Sequence, residues 1–290
     1  MSFRDEFQLK KIGLSYDNPA HFFSCQWKWP SAAYIFIRVF LSLYTTGALI
    51  AVCAMNATYT LLQYLTVWTY ILLTLHFILT AVITVFHHFR RPRKVSCTEN
   101  QHIKDESKSR ENRGFVGEKM EPIGKSISET PETDRKSCKT ELVNGVTWYM
   151  KLSWLLSNIV QVFSVIVTVV YFSAIYPTLH VSNSELVNDT NMHAINTIFV
   201  LVDAAICARP VRFLHFVYPL IYGLVYIGFS VVVYGVSGTV IYNVLDYSQP
   251  LYPSITVPGL AILVIPLLQL AFYGLYRLRV YISTRFQKHA

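Results

Sequence analysis

Charged residues are scarce in this chain. Asp, Glu, Lys and Arg make up 14% of its 290 residues, where a soluble domain carries about a quarter. A water-soluble globule is therefore excluded. The stretch Met1 to Lys11 lacks the apolar core of a signal peptide. The five cysteines, at positions 25, 53, 97, 138 and 207, have neither paired spacing nor a metal-ligand pattern. Cys25 reads as a free thiol or, beside the membrane, as a palmitoylation site. There is no phosphate-binding loop and no Gly-x-Ser-x-Gly motif; Gly235-Val236-Ser237-Gly238 fails that pattern. No metal and no cofactor is expected. Strand-like alternation is absent too, which excludes a membrane barrel. Nothing follows a channel filter or an internal transporter repeat.

What is present is apolar. Hydrophobic residues make up 53% of the chain, and the mean hydropathy is +0.37. Long uncharged runs recur, so the expected fold is all-α, a six-span transmembrane helical bundle with a long disordered cytosolic loop. The spans are read at about 32–55, 59–86, 148–176, 192–208, 211–236 and 254–275, with Pro258 and Pro266 as kinks in the last. The chain then divides into a cytosolic N-terminal segment (1–30), two spans (31–90), the loop (91–146), four spans (147–276) and a cytosolic tail (277–290). The loop is rich in Lys, Glu, Ser and Thr and poor in large apolar residues, so it buries too little to fold alone.

The formal charge of +8 is no argument for nucleic acid, because the Lys and Arg sit at span ends and in the loop. There they fix orientation and meet anionic headgroups, so membrane lipids are the expected partners. Lys10, Lys11, Lys28, Arg90 to Lys94, Arg209, Arg212, Arg277, Arg279 and Arg285 all fall at ends that alternate to the inside. Both termini are thus expected in the cytosol, in the plasma membrane or the endoplasmic reticulum. The two Asn-x-Thr acceptors, Asn56 and Asn188, then land outside. Asn56 sits too near the bilayer, which makes Asn188 the better glycosylation acceptor.

The stretch Met192 to Pro219 concentrates the polar residues. His193, Asn196, Val200 and Asp203 fall within roughly an 80° arc of a helix, and a membrane helix hides such a stripe from lipid. Arg38 and Asp203 each lie about six residues above the inner end of their spans, so an ion pair is expected. The alternative is that Arg38 snorkels to the headgroups. Asp203 is too far along the axis, roughly 15 Å, to orient His193, whereas Asn196 is one turn away and in reach. His215 is as fit for a structural hydrogen bond as for chemistry, and the His87-His88 pair reads as an interface feature. A second stripe, Trp154, Ser157, Gln161, Ser164 and Thr168, reads as helix packing.

Thr66 is placed about seven residues, roughly 10 Å, below the outer end of its span, on a face with Gln63 and Tyr70. A Thr hydroxyl attacks only when a base takes its proton, and His is the usual base. Thr66 and His193 are therefore a candidate nucleophile and base if their spans touch. The competing reading is a hydroxyl bonded back to its own helix.

Four stretches carry a resemblance: Lys151-Leu152-Ser153-Trp154-Leu155-Leu156-Ser157-Asn158; Met192-His193-Ala194-Ile195-Asn196; Arg209-Pro210-Val211-Arg212-Phe213-Leu214-His215-Phe216-Val217-Tyr218-Pro219; and Ile241-Tyr242-Asn243-Val244-Leu245-Asp246-Tyr247. They resemble the rolling stone family, invertebrate multi-span membrane proteins linked to myoblast fusion. The resemblance covers all the spans but not the loop. More distantly, the chain is similar to the androgen-induced family of six-span threonine hydrolases, which cleave fatty acid esters of hydroxy fatty acids. The matching motifs are Gln63-Tyr64-Leu65-Thr66-Val67-Trp68 and Asn191-Met192-His193. That resemblance implies Thr66 as nucleophile, His193 as base and a lipid ester as substrate. The long loop departs from that family, and Asp203 stands where a Glu is expected. Two functions follow: an intramembrane lipid hydrolase, or a non-enzymatic membrane protein of cell fusion or adhesion whose polar stripes are packing contacts.

Overall fold

The computed structural model describes residues 6–55, 59–90, 145–178 and 189–288. The chain divides into two units, Met1–Phe89 with Val143–Ala290, and Arg90–Leu142. The second lies outside the described residues except for Arg90, and the loop expected at 91–146 is outside them up to residue 144.

The described residues of the first unit are mostly helical. The helices are α1 (Ser31–Met55), α2 (Leu65–Arg90), α3 (Trp148–Val170), α4 (Asn196–Ile206), α5 (Val217–Ser237), α6 (Leu251–Pro258) and α7 (Ile265–Lys288). Three π-helical turns extend them: Tyr171–Ile175 after α3, Asn191–Ile195 before α4, and Gly259–Val264 joining α6 to α7. The last lies between the two prolines read as kinks. Among the described residues, five helical stretches are long and apolar enough to cross a membrane, and Asn191–Ile206 is a sixth, shorter apolar one. Their outward side chains are apolar: Phe36 is 70% exposed, Val232 62% and Ile262 78%. Such faces suit acyl chains.

α3 is the central helix. Ser153, Ser157 and Ser164 let neighbours approach closely, and Asn158 and Gln161 are buried beside them. It packs against α4, α5 and α7. Tyr70, Leu73 and Phe77 of α2 meet Leu41, Val160, Met192 and Val200 in one cluster. Ile159, Val162, Phe163 and Ile166 meet Ile265 in another.

The helix of the sixth span continues past residue 275, with α7 running on to Lys288 and burying Arg279. The Arg279 guanidinium is drawn in by the carbonyls of Ala204 and Arg209. Helix α4 ends at Ile206, and Cys207 to Arg212 is non-helical and buried. Irregular backbone at membrane depth is tolerated only where protein satisfies its polar groups. Here Gln26 N–H donates to the Ile206 carbonyl (2.8 Å) and Ala208 N–H to Ser24 (3.1 Å). Trp154 Nε1 donates to Pro210 (2.8 Å), Arg279 Nη2 to Arg209 (2.9 Å) and Gln269 Nε2 to Arg212 (2.9 Å). The N-terminal segment is held as well: Arg212 donates to the Gly13 and Ser15 carbonyls while its guanidinium covers the Trp154 ring.

Candidate functional site

Helix α2 opens at Leu65, so Thr66 is its second residue. Tyr59–Gln63 winds as a separate 3-10 turn, and Gln63 does not share a helical face with Thr66 and Tyr70. Two tyrosines hold the break. Tyr226 donates to the Gln63 carbonyl (2.9 Å), and Leu65 N–H donates to the Tyr242 hydroxyl (3.1 Å). The first N–H groups of a helix have no carbonyl partner within it, and Tyr242 supplies one from the segment after α5.

The Thr66 side chain differs from six threonines of the bundle. Thr45, Thr46, Thr74, Thr80, Thr84 and Thr168 each donate to a carbonyl four residues back. For Thr66 that carbonyl belongs to Leu62, which accepts from Trp68 Nε1 at 2.7 Å. The Thr66 hydroxyl instead lies beside the Tyr242 hydroxyl. No bond back to its own helix is found for it among the described residues.

Thr66 and His193 both line two adjoining cavities. One, of about 200 Å³, is walled by apolar residues of α3, α5 and the π turn before α7, among them Phe163, Leu220, Gly223 and Leu260. The other, of about 590 Å³, is bounded by Met55, Tyr64, Asp189, Met192 and Asn243. Tyr171 and Tyr242 border both. Thr66 and His193 do not hydrogen-bond to each other among the described residues; such contacts are often loose without substrate.

His193 sits in the π turn before α4. Its ring lies flat on Tyr171, centroids 3.6 Å apart. Its backbone carbonyl accepts from the Thr168 hydroxyl. Nδ1 is buried and has no hydrogen-bond partner among the described residues. The expected role of Asn196 in orienting His193 is corrected. Asn196 Nδ2 donates to the Met192 carbonyl (3.0 Å), and Oδ1 accepts from Thr197 N–H (2.6 Å). The π turn puts one extra residue into the winding, and Asn196 is spent on satisfying its backbone.

At the other end of the bundle the ion pair forms. Arg38 donates to Asp203 Oδ1 and is only 1% exposed, so it does not snorkel. Arg209 Nη2 donates to Asp203 Oδ2 at 2.7 Å, and His76 Nε2 lies 3.5 Å from that oxygen. Arg38 also donates to the Tyr34 hydroxyl at 2.7 Å. His215 lines neither cavity. It is fully buried, 3.2 Å from Asn158 Nδ2 and edge-on to Trp154. Asn56 and Asn188 lie outside the described residues.

Sequence reasoning missed Arg209, His76, Tyr171 and Tyr242 as members of these sites. In the sequence Arg209 reads as an inside-facing end charge. His76 is the one histidine within the apolar stretch of its span before the terminal His87-His88 pair, which was a usable signal. Nothing local marks the two tyrosines.

A family model described as protein rolling stone matches residues 133–288, just over half of the chain. The chain belongs to the rolling stone family. It is 22% identical over 288 residues to protein rolling stone of Drosophila melanogaster, covering 96% of this chain and 90% of that relative. No solved structure matches it. The rolling stone model takes in His193, Tyr171, Asp203 and Tyr242 but begins after Thr66.

Proposed function

We propose that this rolling stone family member is an intramembrane, threonine-dependent hydrolase of fatty acyl esters. One observation carries the reading: Thr66 and His193, from separate helices, line the same two adjoining cavities. The apolar cavity suits an acyl chain, which exchanges lipid for apolar side chains at little cost. The cavity bounded by Asp189 and Asn243 suits the polar ester end and water. A membrane lipid ester enters sideways from the bilayer. The Thr66 oxygen attacks the ester carbonyl carbon while His193 takes its proton. The carbon–oxygen bond to the alcohol breaks, and the alcohol leaves with the proton from His193. Water, giving a proton to His193, then releases the fatty acid and restores the Thr66 hydroxyl.

The test is labelling by a fluorophosphonate probe in detergent-solubilised protein of monodisperse profile. Wild type is expected to label at Thr66, and Thr66→Ala and His193→Gln to lose the label. Folded wild type that neither labels nor hydrolyses acyl esters would leave the non-enzymatic role in cell fusion or adhesion. A Thr66→Ala copy would then rescue depleted cells as fully as wild type. The same reading sets both termini in the cytosol, in the plasma membrane or the endoplasmic reticulum, and Asn188 on the opposite side as a glycan acceptor. A glycosidase-sensitive mass shift lost in Asn188→Gln checks that placement.

A further inference from the structure

Cys25 and Cys207 are 182 positions apart in sequence yet directly opposite in space, as the two members of an isolated antiparallel bridge. The bonds that define the bridge, Gln26 N–H to Ile206 (2.8 Å) and Ala208 N–H to Ser24 (3.1 Å), flank the pair rather than join it. Such a non-hydrogen-bonded pair has its Cα atoms about 4.5 Å apart and its side chains on one face. A disulfide spans Cα separations of about 4.4–6.8 Å. Both cysteines are free, Cys25 half-buried and Cys207 buried. Each sulfur is engaged by a backbone N–H two residues on, Trp27 at 3.4 Å and Arg209 at 3.5 Å. The segment carrying Cys25 is braced, with Trp27 Nε1 donating to Ala205 (2.9 Å) and Gln26 Nε2 to Ser283 (2.8 Å). The two cysteines are thus held opposite each other by backbone and side-chain contacts of their neighbours.

We propose that Cys25 and Cys207 are a redox pair that a peroxide-class oxidant closes to a disulfide, tying the N-terminal segment to the buried coil after α4. Cys25 is the more accessible of the two and reacts first. Its sulfur attacks a peroxide oxygen, the O–O bond breaks, water leaves, and Cys25 becomes a sulfenic acid. The Cys207 sulfur then attacks the Cys25 sulfur, the S–O bond breaks, and a second water carries off the oxygen and the thiol proton. Two thiols lose two electrons and the peroxide gains them. Cys207, one residue beyond α4 and directly opposite Cys25 across the bridge, is placed for the second step. In a compartment poised by glutathione the pair rests as two thiols.

The experiment uses the full chain in lipid nanodiscs, treated with hydrogen peroxide or with dithiothreitol, alkylated, digested without reduction and read by mass spectrometry. The expected result is a Cys25–Cys207 cross-linked peptide that appears with peroxide, vanishes with dithiothreitol, and persists in Cys53→Ser. Loss of maleimide labelling at Cys25 should follow the same course. Separate recovery of the two alkylated peptides after peroxide overturns the proposal. So does Cys25 joined to a different cysteine, or a hydroxylamine-sensitive thioester on Cys25 in native membranes. The wild-type readout needs no variant at Cys25 or Cys207 to fold.

Discussion

The His193 imidazole lies parallel to the Tyr171 ring, 3.6 Å between centroids and 4° between planes. Tyr171 in turn donates its hydroxyl to Asp189, so the His193 imidazole is positioned by a ring that is itself tied at its far edge. Tyr171→Leu removes the stack, whose worth is about 0.5–1.5 kcal/mol, and leaves His193 free to sample other rotamers. Fluorophosphonate labelling is expected to slow several-fold in Tyr171→Leu and to stay close to wild type in Tyr171→Phe. Equal rates in all three proteins would count against positioning by the ring.

Asp203 balances Arg38 and Arg209 without access to solvent. Asp203→Asn leaves two buried guanidiniums without a counter-charge, a class of change that costs about 3–5 kcal/mol. Thermal unfolding in detergent should show a large loss of stability or no folded protein. Its effect on labelling should scale with the folded fraction, because Asp203 lines neither cavity.

Gly223 lets α5 approach α3. A Cβ there would meet Phe163 Cζ at 3.1 Å and Ile265 Cδ1 at 3.8 Å. Gly223→Val therefore crowds the apolar cavity and destabilises by about 1–3 kcal/mol through overpacking. Hydrolysis of long-chain esters is expected to fall more than that of short-chain esters. A uniform fall across chain lengths would place the acyl chain elsewhere.

The docking of the N-terminal segment should depend on pH. His21 Nδ1 lies 2.9 Å from the Tyr16 hydroxyl. Burial, and then the nearby Arg279 charge, hold its pKa below the ordinary 6.5. A histidine depressed in the folded state contributes stability that is complete above the unfolded value and is lost as pH falls through the folded one. Limited proteolysis between pH 8 and 5 should show the segment becoming more susceptible below about pH 6.5. His21→Gln should flatten that profile.

Much of this fold is legible in the sequence because a bilayer imposes long, uniform apolar runs. The six segments and the pairing of Arg38 with Asp203 follow from run lengths and depth. What escapes is whatever tertiary contacts decide. The break before Leu65 depends on Tyr226 and Tyr242, which lie far along the chain. A carbonyl satisfied by a distant hydroxyl leaves no local trace. The π turn at Asn191–Ile195 shifts the His193 register by a residue, which a 3.6-residue periodicity cannot register. Arg209 looks like any positive end marker until the chain after Ile206 turns it back toward Asp203.

The coil from Cys207 to Arg212 divides the bundle mechanically. Its carbonyls are gripped by Trp154, Gln269 and Arg279 from two helices, and its edge by the N-terminal segment. A stretch clamped from so many directions opens only when the whole assembly does, and its amides should be among the slowest to exchange with deuterium. Compliance is left to the opposite end, where the described residues include two π turns and a 3-10 turn around Thr66 and His193. Passage of a bulky guest between helices would be accommodated there while the far end stays shut.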